Sequence, residues 1–191
     1  MSEIAHSLEG NPQLLDAAAM RRITVRLAHE VLERHPVLDS VVLVGIPTRG
    51  VPLACTVALQ LAALSRTAPP VAVLDPSAHR DDRPRPAIAP PALHDVEGGA
   101  ARRIDGAVVI VVDDVIFTGR TLRAALDALV DSGRPAAVEV LTLIDRGHRE
   151  LPLRATYVGK NVPTALGDRV FVRMREVDGV DGAWLHQGTR P

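Results

Sequence analysis

The stretch "VVIVVDDVIFTGRT", residues 108–121, decides the fold. Five aliphatic residues, Val108 to Val112, run straight into Asp113 and Asp114, and Thr118, Gly119, Arg120 and Thr121 follow shortly after. The aliphatic run predicts a strand buried on both faces, the kind found in parallel sheets covered by helices. Two like charges at the end of such a strand are unfavourable unless something pairs with them. A capped helix, with an Asx turn at Asp114 and Thr and Gly closing the loop, accounts for one polar residue but not for two carboxylates. A carboxylate accepts hydrogen bonds only, so the pair suits vicinal hydroxyls on a sugar. Gly119 permits close approach of a ligand, and Thr118 and Thr121 offer hydroxyls. Thr121 opens a predicted helix, whose free N–H groups and dipole favour an anion. Hydroxyl and phosphate sites one ribose apart describe a ribose 5-phosphate.

Outward from this stretch, apolar strands and helices alternate. Residues 13–35 read as a helix, with Met20, Ile23, Leu27 and Val31 on one stripe and Arg22, Arg26 and His29 on another. "VVLVGI" (41–46) reads as a buried strand broken by "PTRG" (47–50), and 51–65 as an apolar helix. "VAVL" (71–74) is a short strand, and the proline-rich 75–105 reads as a long loop or mobile hairpin rather than core. The third strand, 107–112, ends at the two aspartates, and 121–133 is an amphipathic helix closed by Gly133 and Pro135. "AVEVLTLI" (137–144) is the fourth strand, with short strands near "TYVG" and "RVFVRMRE" beyond it. The pattern predicts an α/β fold with a central, mostly parallel sheet flanked by helices. Ligands of such sheets bind beyond the carboxyl ends of strands. The loops at 47–50, 113–121 and 145–150 would share that rim.

Bulk properties narrow the function. The 191 residues suit one domain, and 22 basic against 23 acidic residues give a net charge of -1. A polyanion would therefore have to meet a local patch rather than an overall field. Aromatics are 2% of the chain, so the core must be aliphatic. Cys55 is the single cysteine, which excludes an intramolecular disulfide and a cysteine zinc cluster. "MSEIAHSLEG" does not read as a secretory signal. The uncharged run 50–65 is too short to span a bilayer. These features predict a soluble, cytoplasmic chain with no membrane partner. No P-loop or GxGxxG fingerprint is present, so nucleoside triphosphate and dinucleotide readings lack their signals.

"VVIVVDDVIFTGRT" resembles the phosphoribosyl-diphosphate (PRPP) signature of type I phosphoribosyltransferases. The resemblance implies that fold, with a small hood from the N- and C-terminal segments and a flexible loop at about 75–105, all within one domain of residues 1–191. It implies catalytic roles for Asp113 and Asp114 on the ribose hydroxyls, and a 5-phosphate cradle of Phe117, Thr118, Gly119, Arg120 and Thr121. "VGIPTRG" (44–50) is similar to the family's pyrophosphate loop. There the peptide after the position of Thr48 is often cis, aiming backbone N–H groups and Arg49 at the diphosphate. "HRDD" (79–82) is similar to the loop that closes over the diphosphate, with Arg80 as a further catalytic cation that Asp81 and Asp82 would position. Mg²⁺ would enter with PRPP, without direct protein ligands.

The stretch "LIDRGHRELPLRATYVGKNVPT" (143–164), with "RLAHEVLER" (26–34) and the two loops, resembles the PyrR family over residues 16–182. Members of that family attenuate the bacterial pyrimidine operon and act as uracil phosphoribosyltransferases. The resemblance implies conversion of uracil and PRPP to UMP and diphosphate, as a main activity or secondary to regulation. Arg146 and the backbone near Val170 would face uracil, the structural alternative being an Arg146 anchor to Asp145. It also implies pyr leader mRNA binding controlled by UMP or UTP, and a homodimer or higher homo-oligomer. Arg22, Arg26, His29, His148, Arg149, Arg154 and Lys160 would form the basic patch. No aromatic residue for base stacking joins them, so RNA specificity would rest on hydrogen bonding to loop bases. Two departures stand out. Val25 replaces the family's usual hydroxyl residue before Arg26, with Thr24 one place earlier, and His79 replaces an aromatic before "RDD". A plain phosphoribosyltransferase for another base, such as hypoxanthine, is the alternative.

Overall fold

Runs of Val, Leu and Ile dictate the centre of the molecule. In the computed structural model, which describes residues 10–79, 93–96 and 100–188, β2 (Val41–Gly45) is buried at every position. It pairs in parallel with β5 (Val108–Ile116) and β3 (Val71–Leu74). β5 pairs with β6 (Ala137–Asp145), and β6 with β7 (Tyr157–Asn161), also in parallel. β4 (Leu93–Asp95) closes the far edge antiparallel to β3, so the sheet order is β4-β3-β2-β5-β6-β7. Both faces are covered. Ile110, Val112, Leu141 and Leu143 pack with α1 (Ala17–Arg34) and α2 (Gly50–Ser65) on one side. Val109, Val111 and Val140 pack with α3 (Arg120–Ser132) on the other. Alternate residues of one strand thus serve two cores, which is why the strands read as unbroken apolar runs.

A second, antiparallel sheet joins the two ends of the chain. β1 (Gln13–Leu15) pairs with β9 (Gly182–His186), and β9 with β8 (Arg169–Arg173). The short helix α4 (Arg175–Asp178) connects β8 to β9. The helix expected over 13–35 therefore starts later. Residues 13–15 are drawn into a strand by pairing with β9, and Asp16 caps the helix by accepting the Ala19 N–H at 2.6 Å. Within 75–105 the described residues include a 3₁₀ turn (Pro76–His79) and β4. Leu93 and Ile104 are buried there, so the stretch contributes to the core at those positions.

Connectivity places the functional rim. From β2 the chain crosses to β3 on one side, and from β5 to β6 on the other, so the sheet's switch point lies between β2 and β5. β5 also outruns β2. The two pair only through Gly45 and Val112, while β5 stays paired with β6 as far as Ile116 and Asp145. Asp113 and Asp114 therefore lie inside the strand, which runs four residues past Val112, where the sequence reading had ended it. With no β2 ladder beside them, the carboxylates take over. The Asp114 N–H donates to Asp113 Oδ1 and the Val115 N–H to Asp114 Oδ1, each at 3.0 Å. Among the described residues no helix is long and apolar enough to cross a membrane.

Candidate active site

One side of the candidate site grows directly from β5. After Ile116 the chain turns through Phe117 and Thr118 to Gly119, whose φ of +91° lies in the left-handed region that suits glycine. Gly119 stands at the N-cap of α3 and has no side chain with which to cap it. The positive end of the helix dipole therefore opens onto a cavity of about 200 Å³. Asp113, Phe117, Thr118, Arg120 and Thr121 are among its walls. The Arg120 N–H reaches Thr118 Oγ1 at 3.4 Å, and the Arg120 side chain pairs with Glu150 at 2.7 Å.

The loop after β2 lies across the switch point. Its glycines let backbone meet backbone: a Cβ on Gly50 would stand 2.3 Å from Val112 O, and one on Gly45 2.5 Å from Val51 Cα. This packing presses the start of α2 onto the end of β5. The cis peptide joins Pro47 to Thr48, one bond earlier than the resemblance implied. Thr48 is exposed. Arg49 is not an open cation. Its Nε and Nη2 bind both oxygens of Asp178 in α4, at 2.9 and 2.8 Å. Asp178 also accepts from Arg173 Nη1 and from the Met174 N–H. Burial pushes the Asp178 carboxyl up, but the hydrogen bonds from Arg49, Met174 and Arg173 outweigh it and hold it well below the usual range. The Asp178 hydrogen bond in turn raises Arg49, and the charge of Asp114 adds to it. Burial moves Asp114 the other way, above its ordinary value, against the pull of Asp113, Arg49 and the Val115 N–H.

Arg146 follows β6 and is 5% exposed. Its guanidinium lies 3.9 Å from the centre of the Phe117 ring. Nε donates to Thr164 Oγ1 and Nη2 to Ala165 O, each at 3.1 Å. Burial lowers its pKa, with the charge of Asp168 opposing. The His148 ring meets the other edge of the arrangement, T-shaped to Phe117 at 5.9 Å. The partner of Asp145 is Arg149, at 2.5 Å, so the anchor to that carboxylate belongs to the second arginine of "DRGHR" and not to Arg146. Val170 lies on β8, half-buried against the larger core.

The basic residues divide. Arg22, Arg26 and Lys160 flank one shallow depression between α1 and β7, and His29 is exposed further along α1. Arg26 pairs with Glu30 and donates to Val158 O and Gly159 O at 3.1 and 2.6 Å. Lys160 donates to Leu14 O at 3.0 Å. Arg154 is exposed, whereas His148 and Arg149 bond the loops around the cavity and not the depression. Thr24 is buried and donates to Arg21 O, so its hydroxyl does not stand in for one at Val25. Arg80, Asp81 and Asp82 lie outside the described residues. Sequence reading missed Asp178, Arg173 and the 164–166 turn. Each meets its site partner only through the tertiary fold, and no local spacing announces it.

The phosphoribosyl transferase domain family matches residues 10–170. A "Bifunctional protein PyrR" of Chloroflexus aurantiacus is 51% identical, covering 93% of this chain and 96% of its own. One from Roseiflexus is 49% identical over 94% and 97%, and one from Streptomyces coelicolor 49% over 93% and 90%. Among solved structures, a hypoxanthine phosphoribosyltransferase of Staphylococcus aureus superposes with a TM-score of 0.68 over 96% of both chains at 19% identity. That of Trypanosoma cruzi gives 0.67 over 92% and 96% at 16%. At those identities the structural likeness establishes the fold, and the sequence likeness carries the rest: the chain belongs to the phosphoribosyl transferase domain family and, within it, to the PyrR proteins.

Proposed function

We propose that this protein transfers the phosphoribosyl group of PRPP to uracil, releasing diphosphate and UMP, and that it binds pyr mRNA in a uridine-nucleotide-dependent way to regulate pyrimidine synthesis. The observation that carries the catalytic half is the cavity at the end of β5, with the Asp113 carboxylate on one wall, Asp114 next to it in the strand, and the N-terminus of α3 on another wall. Asp113 and Asp114 accept the ribose hydroxyls and stabilise positive charge developing at the anomeric carbon. The 5-phosphate sits in the cradle of Thr118, Gly119 and Thr121. Arg49, with two nitrogens on Asp178, keeps further N–H donors of its five for the diphosphate. Arg80 is proposed to join it on loop closure. Arg146, held over Phe117, is proposed to donate to a base carbonyl, and the backbone near Val170 to line the same base site.

A hydrated Mg²⁺ carried in by PRPP fits beside this carboxylate pair without direct protein ligands, because Mg²⁺ dehydrates reluctantly and keeps several of its waters. When bound with PRPP it supplies charge neutralisation at the diphosphate.

For the regulatory half, Arg22, Arg26 and Lys160 around one depression, with His29 and Arg154 exposed, offer cations to an RNA backbone. A cytoplasmic homodimer or higher assembly is part of this reading, as is UMP or UTP as the effector. Purified protein with Mg²⁺, PRPP and a panel of bases is expected to make UMP from uracil. Turnover of hypoxanthine in place of uracil would favour the plain phosphoribosyltransferase instead. Binding of a pyr leader hairpin, titrated with and without UMP at stated salt, tests the regulatory half.

A further inference from the structure

Arg149 stands in a run of cations yet turns inward. Its side chain is 18% exposed. Nη1 donates to Phe117 O at 2.5 Å, Nη2 to Asp145 Oδ2 at 2.5 Å, and Nε to Leu153 O at 3.0 Å. Nη1 also reaches Gly147 O at 3.3 Å. One guanidinium thus bonds Phe117, the last residue of β6 and two residues of the segment that follows it. Around it the two segments are joined again and again. The N–H groups of Glu150 and Leu151 both donate to Thr118 O, at 3.0 and 3.3 Å. Arg120 pairs with Glu150, and the His148 ring rests on Phe117. A guanidinium is a planar fork of fixed geometry, so a shift of the Phe117 carbonyl pulls on Asp145, Gly147 and Leu153 together.

We propose that Arg149 is a positioning residue that transmits the state of the phosphate cradle to residues 147–154, so that nucleotide in the cavity reshapes the surface offered to RNA. The proposal rests on the functional reading above and changes the part Arg149 plays in it. With three nitrogens on four protein acceptors, Arg149 acts as the link between ligand site and basic segment, and Arg154, exposed on that segment, meets the phosphates. Such a link is a coupling between two sites and is reciprocal: RNA bound to the segment tightens nucleotide binding by the same factor.

Amide hydrogen exchange tests the link directly, on wild type, Arg149→Ala, Arg149→Lys and Lys160→Ala. Each is compared without ligand, with saturating UMP, and with saturating ribose 5-phosphate, which carries the phosphate without the base. In wild type and Lys160→Ala, either ligand is expected to slow exchange at Glu150 and Leu151 by about tenfold or more. In both Arg149 variants the ligand still protects 118–121, but the protection at 150 and 151 is lost. The lysine variant keeps the charge without the fork, so it separates coupling from simple attraction to RNA. In a parallel RNA titration, UMP changes wild-type affinity by a factor in the usual coupling range of about 5–150. In both Arg149 variants that factor falls to about 1–2, whereas Lys160→Ala lowers affinity equally with and without UMP. Equal protection at 150 and 151 in wild type and Arg149→Ala overturns the proposal. So does an Arg149→Ala loss of RNA affinity that is the same with and without UMP and is restored by lysine. Wild-type protein that binds neither UMP nor ribose 5-phosphate overturns the functional reading and this link together. With ligand bound, the exchange result judges the link alone.

Discussion

Asp114 is a charge that its buried surroundings disfavour. It lies beside a second carboxylate, and burial holds its carboxyl above the ordinary range despite Asp113 and Arg49. A raised folded-state pKa means that the stability Asp114 contributes is fully present below the unfolded value of 3.8 and is lost as pH rises through the folded one. Asp114→Asn is therefore expected to raise the melting temperature of ligand-free protein at pH 8, and the gain should vanish in acid, where the wild-type carboxyl is protonated. Turnover of uracil and PRPP should fall on the order of 100-fold, as when one preorganised electrostatic group is removed from an active site. Thermal melts across pH, beside a UMP-formation assay, check both signs, and a lower melting temperature at pH 8 contradicts the argument. At this scale the sequence was most legible where chemistry is local. Two adjacent acids and a Thr/Gly turn announce a ligand by themselves. The partner of Arg49 could not be seen, because Asp178 is 129 positions away.

The helix α1 was legible from its apolar stripe, yet what holds its end is not. Glu139, at the start of β6, is buried and gathers three donors: Tyr157 OH at 2.6 Å, His35 Nε2 at 2.9 Å and Arg34 Nε at 2.7 Å. Burial pushes the Glu139 carboxyl up, but hydrogen bonds from Tyr157 and His35 and the charges of His35 and Arg34 outweigh it, so it lies below its ordinary range. The Tyr157 hydroxyl is pushed up by burial and by that same carboxylate. The cluster pins the C-terminal end of α1 to β6 and β7, and so keeps Arg22 and Arg26 opposite Lys160. Glu139→Gln is expected to cost about 1.5–3 kcal/mol at pH 7, the range for hydrogen bonds to a charged group. A lowered folded-state pKa gives stability that is present above the unfolded value of 4.5 and lost as pH falls through the folded one. Urea titrations should therefore show the gap between variant and wild type closing below pH 4.5. A gap that widens in acid would reverse the sign. The short strands β1 and β9 escaped sequence reading for a related reason: each is stabilised by its partner in the small sheet, and neither has a periodicity of its own long enough to read.

Across the whole molecule, the small sheet is clasped to the large one by Asp178. Its carboxylate, 5% exposed, binds Arg49 from the loop after β2 and Arg173 from β8. Removing one partner of a buried ion pair leaves the others uncompensated, at a cost of about 3 kcal/mol. Trp184, the single tryptophan, lies on β9 and reports on the small sheet. In Asp178→Ala its fluorescence is expected to shift at lower urea than the far-ultraviolet circular dichroism, with a raised KM for PRPP because Arg49 loses its brace. Coincident transitions would show that the clasp does not separate the two sheets. The sequence by itself determined the parallel sheet, the order of its helices and the Thr/Gly turn after β5, because each follows from hydrophobic period or from residues adjacent in the chain. Only the tertiary structure decided that β5 runs on past β2 with the aspartates inside it, that Asp178 holds Arg49, and that Arg149 turns inward to Phe117. Those outcomes depend on which strand ends beside which and on contacts between residues far apart in the chain, and neither is written in local spacing.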